Sequence, residues 1–221
     1  TPEPATARLA ADGPRALRAL APSLAMVDFD IPFRLDGVHG DRFRGAGIVL
    51  DAVRGLVVVD RETVPIALGD LSLTFGGTAK VPGELVYLHP EHNFALIRYD
   101  PALLGDTPVE SATVRVAPLE VGDEVALVAM TARHRIVARE TVISRREPIV
   151  LPRASVPSFR ESNIELVTLA DATSSVGGAV TDAKGRVLAL WASFMRGGMS
   201  DEPNAFFGGL PIERVLEVLE P

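Results

Sequence analysis

The chain has 221 residues, 47% of them hydrophobic and 23% charged, which is enough to bury one large core or two small ones. A formal net charge of −7 excludes nucleic acid as the main partner, because phosphate binding requires a basic surface. No run reaches the roughly 18 consecutive apolar residues of a transmembrane helix, so the sequence predicts a soluble protein without a membrane span. The absence of cysteine leaves the compartment, periplasmic or cytoplasmic, undecided.

The N-terminal part of the chain divides into an arm and the start of a folded region. Residues 1–13 are rich in Ala and Pro and predict an arm or linker, and the folded region is expected over 14–221. The chain starts at Thr1 and not at Met, as a processed or excised piece of a longer protein does. Pro14 predicts the first turn of a short helix that ends near Pro22.

Strand patterns dominate the next stretch, about 24–100. Apolar and polar residues alternate at Ala25–Ile31, as they do in a half-buried strand. Turns are predicted at Gly76–Gly77 and Pro82–Gly83. The other predicted strands are Phe43–Asp51, Gly55–Asp60, Val64–Phe75, Glu84–Leu88 and Phe94–Tyr99. About six strands are sufficient for one small antiparallel barrel.

A second set of strands follows a connector at 101–121 that is rich in Pro and polar residues. Glu147–Asn163 contains three prolines and predicts a loop. Strands are predicted at Glu124–Met130, Arg135–Ile143, Ile164–Leu169, Ala179–Thr181, Val187–Phe194 and Ala205–Phe207, and a helix at Pro211–Glu220. The predicted fold is therefore all-β: a double antiparallel β-barrel with a short N-terminal helix and a C-terminal helix, the second barrel and helix covering about 122–221.

The segment Asp171–Asp182 has the composition of a nucleophile loop. Small polar residues lead to an apical position, two glycines follow, and a hydrophobic strand comes next. Such a loop aims one side chain outward and directs backbone N–H groups at a developing oxyanion. The apical residue, however, is Val176, whose side chain has no nucleophilic atom.

These motifs together resemble the chymotrypsin-like protease domain of the HtrA/Deg family, from about Leu17 to Leu219. Gly45–Asp51 resembles the family sequence G-S-G-V-I-I-D. His92–Ile97 resembles T-D-L-A-V-L, which carries the catalytic Asp of the family. Ser174–Ala179 resembles G-N-S-G-G-P, which carries the catalytic Ser. The resemblance implies the double-barrel fold.

Carried over position by position, the resemblance places other residues where the family has its catalytic triad. The His position falls on Glu62, or on Thr63 if the register slips by one. The Asp position falls on Asn93 and the Ser position on Val176. Ser174, Ser175 and Gly177 would then be a vestigial oxyanion loop. The resemblance thus predicts a protease fold with no catalytic residues.

A more specific resemblance concerns Val81–Asp100 and Thr181–Phe194. Both segments are similar to the second, degenerate protease domain of the double-length HtrA-like proteins of fungi and plants. The resemblance implies an assembly or regulatory role beside an active protease domain and PDZ domains of the same parent protein. It also implies a homo-oligomer, a trimer formed through Leu17–Phe29.

Two other functions remain open at this stage. The chain could bind a peptide by strand addition along Val187–Phe194. It could also be an active serine endopeptidase that uses Ser174 or Ser175 as an unusual nucleophile.

No metal or cofactor is predicted. His89 and His92 are three residues apart beside Glu91, but they lie in a Pro-containing turn and no further cluster of His or Cys accompanies them. Trp191 lies on an apolar strand and is predicted to be a core residue.

Overall fold

The computed structural model describes residues 12–33, 40–148, 165–196 and 204–219. The arm predicted at 1–13 and the loop predicted at Glu147–Asn163 lie almost entirely outside the described residues. Within them, helix α1 spans Arg15–Leu20 and helix α2 spans Glu213–Leu216, with twelve strands between the two helices.

The first six strands close into an antiparallel barrel, in the order β1-β2-β3-β6-β5-β4. The strands are β1 (Leu24–Asp30), β2 (Arg42–Asp51), β3 (Leu56–Val59), β4 (Asp70–Phe75), β5 (Ala79–Leu88) and β6 (Ala95–Tyr99). The barrel interior is filled by apolar side chains that include Phe29, Leu73, Phe75 and Ile97. The alternation read from the sequence at β1 places Phe29 in this core and Asp30 at the surface.

The remaining six strands form a second closed antiparallel barrel, in the order β10-β11-β12-β9-β8-β7. The strands are β7 (Glu124–Met130), β8 (Ile136–Pro148), β9 (Glu165–Leu169), β10 (Gly178–Thr181), β11 (Val187–Arg196) and β12 (Asn204–Pro211). Trp191 is 2% exposed inside this barrel, which confirms its predicted place in the core. The predicted fold class is confirmed, and both barrels have the same strand connectivity.

Two local predictions in the first barrel were wrong. The strand expected from Val64 begins only at Asp70, the first residue of β4. The turn expected at Pro82–Gly83 lies inside β5, where Gly83 pairs with Leu71. A Cβ at Gly83 would lie 2.4 Å from Leu71 Cδ2, so this glycine makes room for a neighbouring side chain and does not form a turn.

The C-terminal helix is shorter than the sequence predicts. Helix α2 is one turn long and continues as turns to Leu219. A helix of this length is not stable by itself, so it depends on tertiary packing. Val215 provides that packing because it is fully buried against the core between the barrels.

A third apolar cluster joins the two barrels and both helices. We call it the inter-barrel core; its buried members include Ala16, Leu20, Met26, Ile48, Phe94, Val128, Leu190, Phe194 and Val215. Each barrel therefore has its own interior, and the inter-barrel core fixes one barrel against the other. The loop predicted to carry the nucleophile contacts this third cluster through Val176.

Candidate functional site

The backbone of Val176 links the two barrels. Its N–H donates to the carbonyl oxygen of Met130, the last residue of β7, at 2.8 Å. Its carbonyl oxygen accepts from the N–H of Ala46, in β2 of the first barrel, at 3.0 Å. The half-buried side chain packs on the inter-barrel core. The apex of the loop is thus held on both sides by strands.

This hydrogen bonding determines what the loop can offer to a ligand. In the serine protease mechanism, the N–H of the nucleophile residue itself is one of the donors that stabilise the oxyanion. Here the N–H at the apical position is directed at the Met130 carbonyl. The donor that such a mechanism needs is therefore already occupied inside the protein.

The two glycines after the apex are required by their contacts. Gly177 and Gly178 have φ values of +126° and +152°, which L side chains rarely adopt. A Cβ at Gly178 would lie 2.3 Å from the carbonyl oxygen of Val128, a backbone atom of β7 that cannot move aside. Gly178 therefore allows β10 to pack against β7, whereas a Cβ at Gly177 would lie 3.2 Å from the backbone nitrogen of Ala46 in β2.

The two serines before the apex differ in their surroundings. Ser174 is exposed, whereas Ser175 is half-buried. The Oγ of Ser175 is buried and has no hydrogen-bond partner in the part of the chain that the structure describes. A serine becomes nucleophilic when a base accepts its proton through a hydrogen bond, and the structure shows no such bond for Ser175.

Asn93 and Asp60 hold the backbone of one residue of the opposite barrel, Ser193 in β11. The Ser193 N–H donates to Asp60 Oδ2 at 3.0 Å, and the Ser193 carbonyl oxygen accepts from Asn93 Nδ2 at 2.5 Å. Asn93 is 0% exposed and Asp60 is 2% exposed. We call this arrangement the Ser193 clamp. It makes Asn93 part of the contact between the barrels.

Asp60 was not singled out from the sequence. Its Oδ1 also accepts from the N–H of Thr63 at 2.7 Å. Burial raises the pKa of the Asp60 carboxyl above its ordinary value, and hydrogen bonds from Ser193 and Thr63 oppose this rise. The only local sign was an acidic residue directly after the four apolar residues of β3.

The two residues that could occupy the His position are placed differently. Thr63 is 3% exposed and its side chain lies over Gly45 in β2, where an added Cβ would be 1.9 Å from Thr63 Oγ1. Glu62 is half-buried. Glu62 and Thr63 therefore both stay candidates for the His position.

The turn between β5 and β6 contains His89 and His92, whose rings are 4.6 Å apart. Among the described residues, no group of three or more His, Cys, Asp or Glu side chains could hold a metal ion. The Nδ1 atom of His89 instead accepts two backbone hydrogen bonds of its own turn, from Glu91 and His92. The geometry here is that of a capped turn.

Two closed barrels of identical connectivity, with a Gly-Gly loop held between them, define the trypsin-like peptidase domain. The sequence profile of that family, described as a trypsin-like peptidase domain, matches residues 46–190. The chain belongs to this family. No helix in the described part of the chain is long and apolar enough to cross a membrane.

Its relatives are HtrA/Deg proteins. The chain is 36% identical to Protease Do-like 7 of Arabidopsis thaliana over 99% of its own length and 21% of that protein. It is 34% identical to pro-apoptotic serine protease NMA111 of Eremothecium gossypii over 92% of its length and 21% of that protein. A PDZ domain-containing protein of Schizosaccharomyces pombe is 39% identical over 73% of the chain and 16% of that protein. The chain thus spans about a fifth of the length of these relatives.

Solved structures of the same fold support the architecture. The inactive form of the Rv3671c protease aligns with a TM-score of 0.66 and 15% identity, over 92% of this chain and 90% of that one. Deg5 aligns with a TM-score of 0.64 and 15% identity, over 91% and 89% of the two chains. At this level of identity the alignments show a shared fold.

Proposed function

We propose that this chain is a non-catalytic trypsin-like domain that serves assembly or regulation within a larger HtrA-like protein. The observation that carries the proposal is the state of the loop apex. The Ser position holds Val176, and the N–H that would stabilise an oxyanion donates to the Met130 carbonyl. A site without nucleophile and without this donor lacks two of the parts that acyl transfer requires.

Asn93 supports the same proposal from the other barrel. In a serine protease, the Asp of the triad orients a histidine that acts as base. Here Asn93 uses its Oδ1 to accept from the Arg61 N–H at 2.9 Å and its Nδ2 to hold Ser193. Both polar atoms of the side chain are committed to structure, which is consistent with a role in joining the barrels.

The relatives support the larger context. One of them is described as containing a PDZ domain and two as proteases, and the chain spans only 16–21% of their lengths. We therefore propose that an active protease domain and PDZ domains of the same parent protein are its partners.

We also propose that the chain forms a homo-oligomer, a trimer whose contacts involve Leu17–Phe29. The apolar side chains of this segment, such as Leu17 and Phe29, are buried within the monomer. A contact would have to use the exposed face of α1, which carries Arg15 and Arg18. Light scattering on the purified chain should give the mass of three chains, and a strict monomer at high concentration would count against this interface.

The first test is covalent labelling with a fluorophosphonate probe. We expect no labelling of the wild-type chain and no casein hydrolysis, because the Ser175 Oγ is buried without a base. An active trypsin-like protease labelled in parallel shows that the probe is reactive. Labelling that disappears in Ser175→Ala, or in Ser174→Ala, would establish the alternative function, an active endopeptidase with an unusual nucleophile.

Peptide binding by strand addition to β11 is the other alternative. Strand addition uses free backbone N–H and C=O groups along a strand edge. Strand β11 pairs with β12 on one side, and on the other side with β10 from Val187 to Trp191. Beyond that point the N–H and C=O of Ser193 are both taken by the Ser193 clamp. The clamp therefore argues against this site for a peptide.

A further inference from the structure

The turn between β5 and β6 depends on one unprotonated ring nitrogen. We call residues 89–92 the His turn. His89 Nδ1 accepts from the N–H of Glu91 at 3.0 Å and from the N–H of His92 at 2.7 Å. A ring nitrogen that accepts hydrogen bonds cannot carry a proton. Protonation of His89 therefore removes both hydrogen bonds at once.

The His turn is connected to the Ser193 clamp through Arg61. The Arg61 guanidinium donates to the His89 carbonyl oxygen at 2.8 Å and lies 3.5 Å from that of Pro90. The backbone N–H of Arg61 donates to Asn93 Oδ1, and Asn93 follows the turn directly. Asn93 Nδ2 then reaches the Ser193 carbonyl. Hydrogen bonds thus run from the His turn of the first barrel to β11 of the second.

Two features of the turn oppose a positive charge on its histidines. His92 Nδ1 is buried and has no hydrogen-bond partner among the described residues. A protonated His89 would add its charge beside the Arg61 guanidinium. The contacts of the turn therefore fit His89 and His92 in their neutral forms.

Some charged groups around the turn raise the pKa values of the two histidines and others lower them. Burial is the largest cause of the lowered pKa of His89, and the neighbouring His92 is the next. Arg61 lowers the pKa of His89 further. Burial also lowers the pKa of His92, with Arg214 of α2 as the next cause. Glu91 in the turn and Glu217 after α2 oppose both shifts. The net direction is downward for both histidines.

We propose that the His turn is a proton-sensitive latch between the two barrels. Protonation of His89 at Nδ1 releases the turn and weakens the hydrogen bonds that hold Asn93 against Ser193. The backbone of β11 at Ser193 then becomes accessible to solvent or to a partner. The latch is closed at neutral pH and opens as the pH falls.

The sign of the effect follows from proton linkage. The folded pKa of each histidine lies below its ordinary value of 6.5, so the opened form binds protons more tightly than the closed form. Between about pH 6.5 and the lowered pKa of the closed form, the opened fraction rises by up to about tenfold per pH unit for each proton taken up. The pKa of Asp60 is raised, so protonation of Asp60 at lower pH favours the closed form instead. This contribution is common to every variant compared below, because all of them contain Asp60.

The test compares two substitutions that remove the same ring. In His89→Asn, the side-chain oxygen takes the place of Nδ1, accepts the same two N–H groups and does not titrate. In His89→Gln, the polar atoms reach the place of Nε2 and leave Nδ1 without a replacement. Hydrogen exchange at the Ser193 amide reports the opened fraction after correction for the intrinsic pH dependence of exchange.

We expect the protection of the Ser193 amide from hydrogen exchange to fall between pH 7.5 and 5.0 in the wild-type chain. In His89→Asn this fall should be about tenfold smaller for each pH unit. His89→Gln should be poorly protected already at pH 7.5. Equal slopes for the wild-type chain and His89→Asn would overturn the latch. So would full protection at pH 7.5 in His89→Gln, or a loss in His89→Asn as large as that in His89→Gln.

Discussion

Asn93→Asp is expected to lower the free energy of unfolding by about 3–5 kcal/mol at pH 7.5, the usual cost of an uncompensated buried charge. Asn93 is 0% exposed, and its Nδ2–H group donates to the Ser193 carbonyl oxygen. A carboxylate there would face that oxygen without a proton, close to the buried carboxylate of Asp60. The substitution that restores the family residue is thus expected to damage the fold.

The pH dependence of this variant separates charge from lost hydrogen bonding. Burial should raise the pKa of the new carboxyl, so the destabilisation is full above that folded pKa. It fades as the pH falls, because the protonated acid can again donate to Ser193. Urea unfolding at pH 7.5 and pH 5.0, followed by the fluorescence of the buried Trp191, measures both values.

The matched control for this experiment is Asn93→Ala. It removes the same hydrogen bonds without adding a charge, and should cost about 1–3 kcal/mol. Relative to the wild-type chain, that cost should diminish at low pH only as far as the His turn opens, and by less than the cost of Asn93→Asp. If Asn93→Asp is as stable as the wild-type chain, or if both variants respond to pH alike, the buried position tolerates a carboxylate and our account of the Ser193 clamp is wrong.

Rebuilding the triad is expected to give a folded or partly destabilised protein with little or no peptidase activity. The substitutions are Asn93→Asp and Val176→Ser, combined with Glu62→His in one version and Thr63→His in the other. The apical N–H would still donate to the Met130 carbonyl, and loss of one oxyanion donor costs about 10²–10³ in turnover. A base displaced by about 1 Å costs about 10² more in turnover.

Two further features of the loop support this expectation. Ser174 stands where the family sequence G-N-S-G-G-P has a glycine, two residues before the nucleophile. Thr63 is buried over Gly45, so a histidine placed there would collide with β2. The Thr63→His version is therefore not expected to align a base with the loop apex.

Casein hydrolysis and fluorophosphonate labelling check this prediction, and Val176→Ser alone serves as the control for folding. Robust turnover in either triple variant would contradict this prediction, provided that the turnover is lost in the same variant without Val176→Ser. Such a result would show that the loop rearranges to free its N–H, and that only side chains separate this domain from an active protease.

Much of the fold was determined by local sequence patterns. The alternation at β1, the apolar runs at β3 and β7, and Pro14 directly before α1 all act over a few residues, so they can be read directly. The Gly177-Gly178 pair marked the loop that packs between the barrels. The family resemblance then predicted that Val176 and Asn93 stand at the Ser and Asp positions of the triad.

The tertiary structure decided what those positions do. Asn93 and Ser193 are 100 residues apart in sequence, and Asp60 and Ser193 are 133 apart, so no local period marks their contact. A buried polar group must find a hydrogen-bond partner, but the sequence does not say which one. Pro82–Gly83 is another case that local sequence could not decide. This dipeptide is typical of turns, but it lies in β5, where the glycine leaves room for the Leu71 side chain. Local propensity sets the strands, whereas contacts between distant residues assign each polar side chain its role.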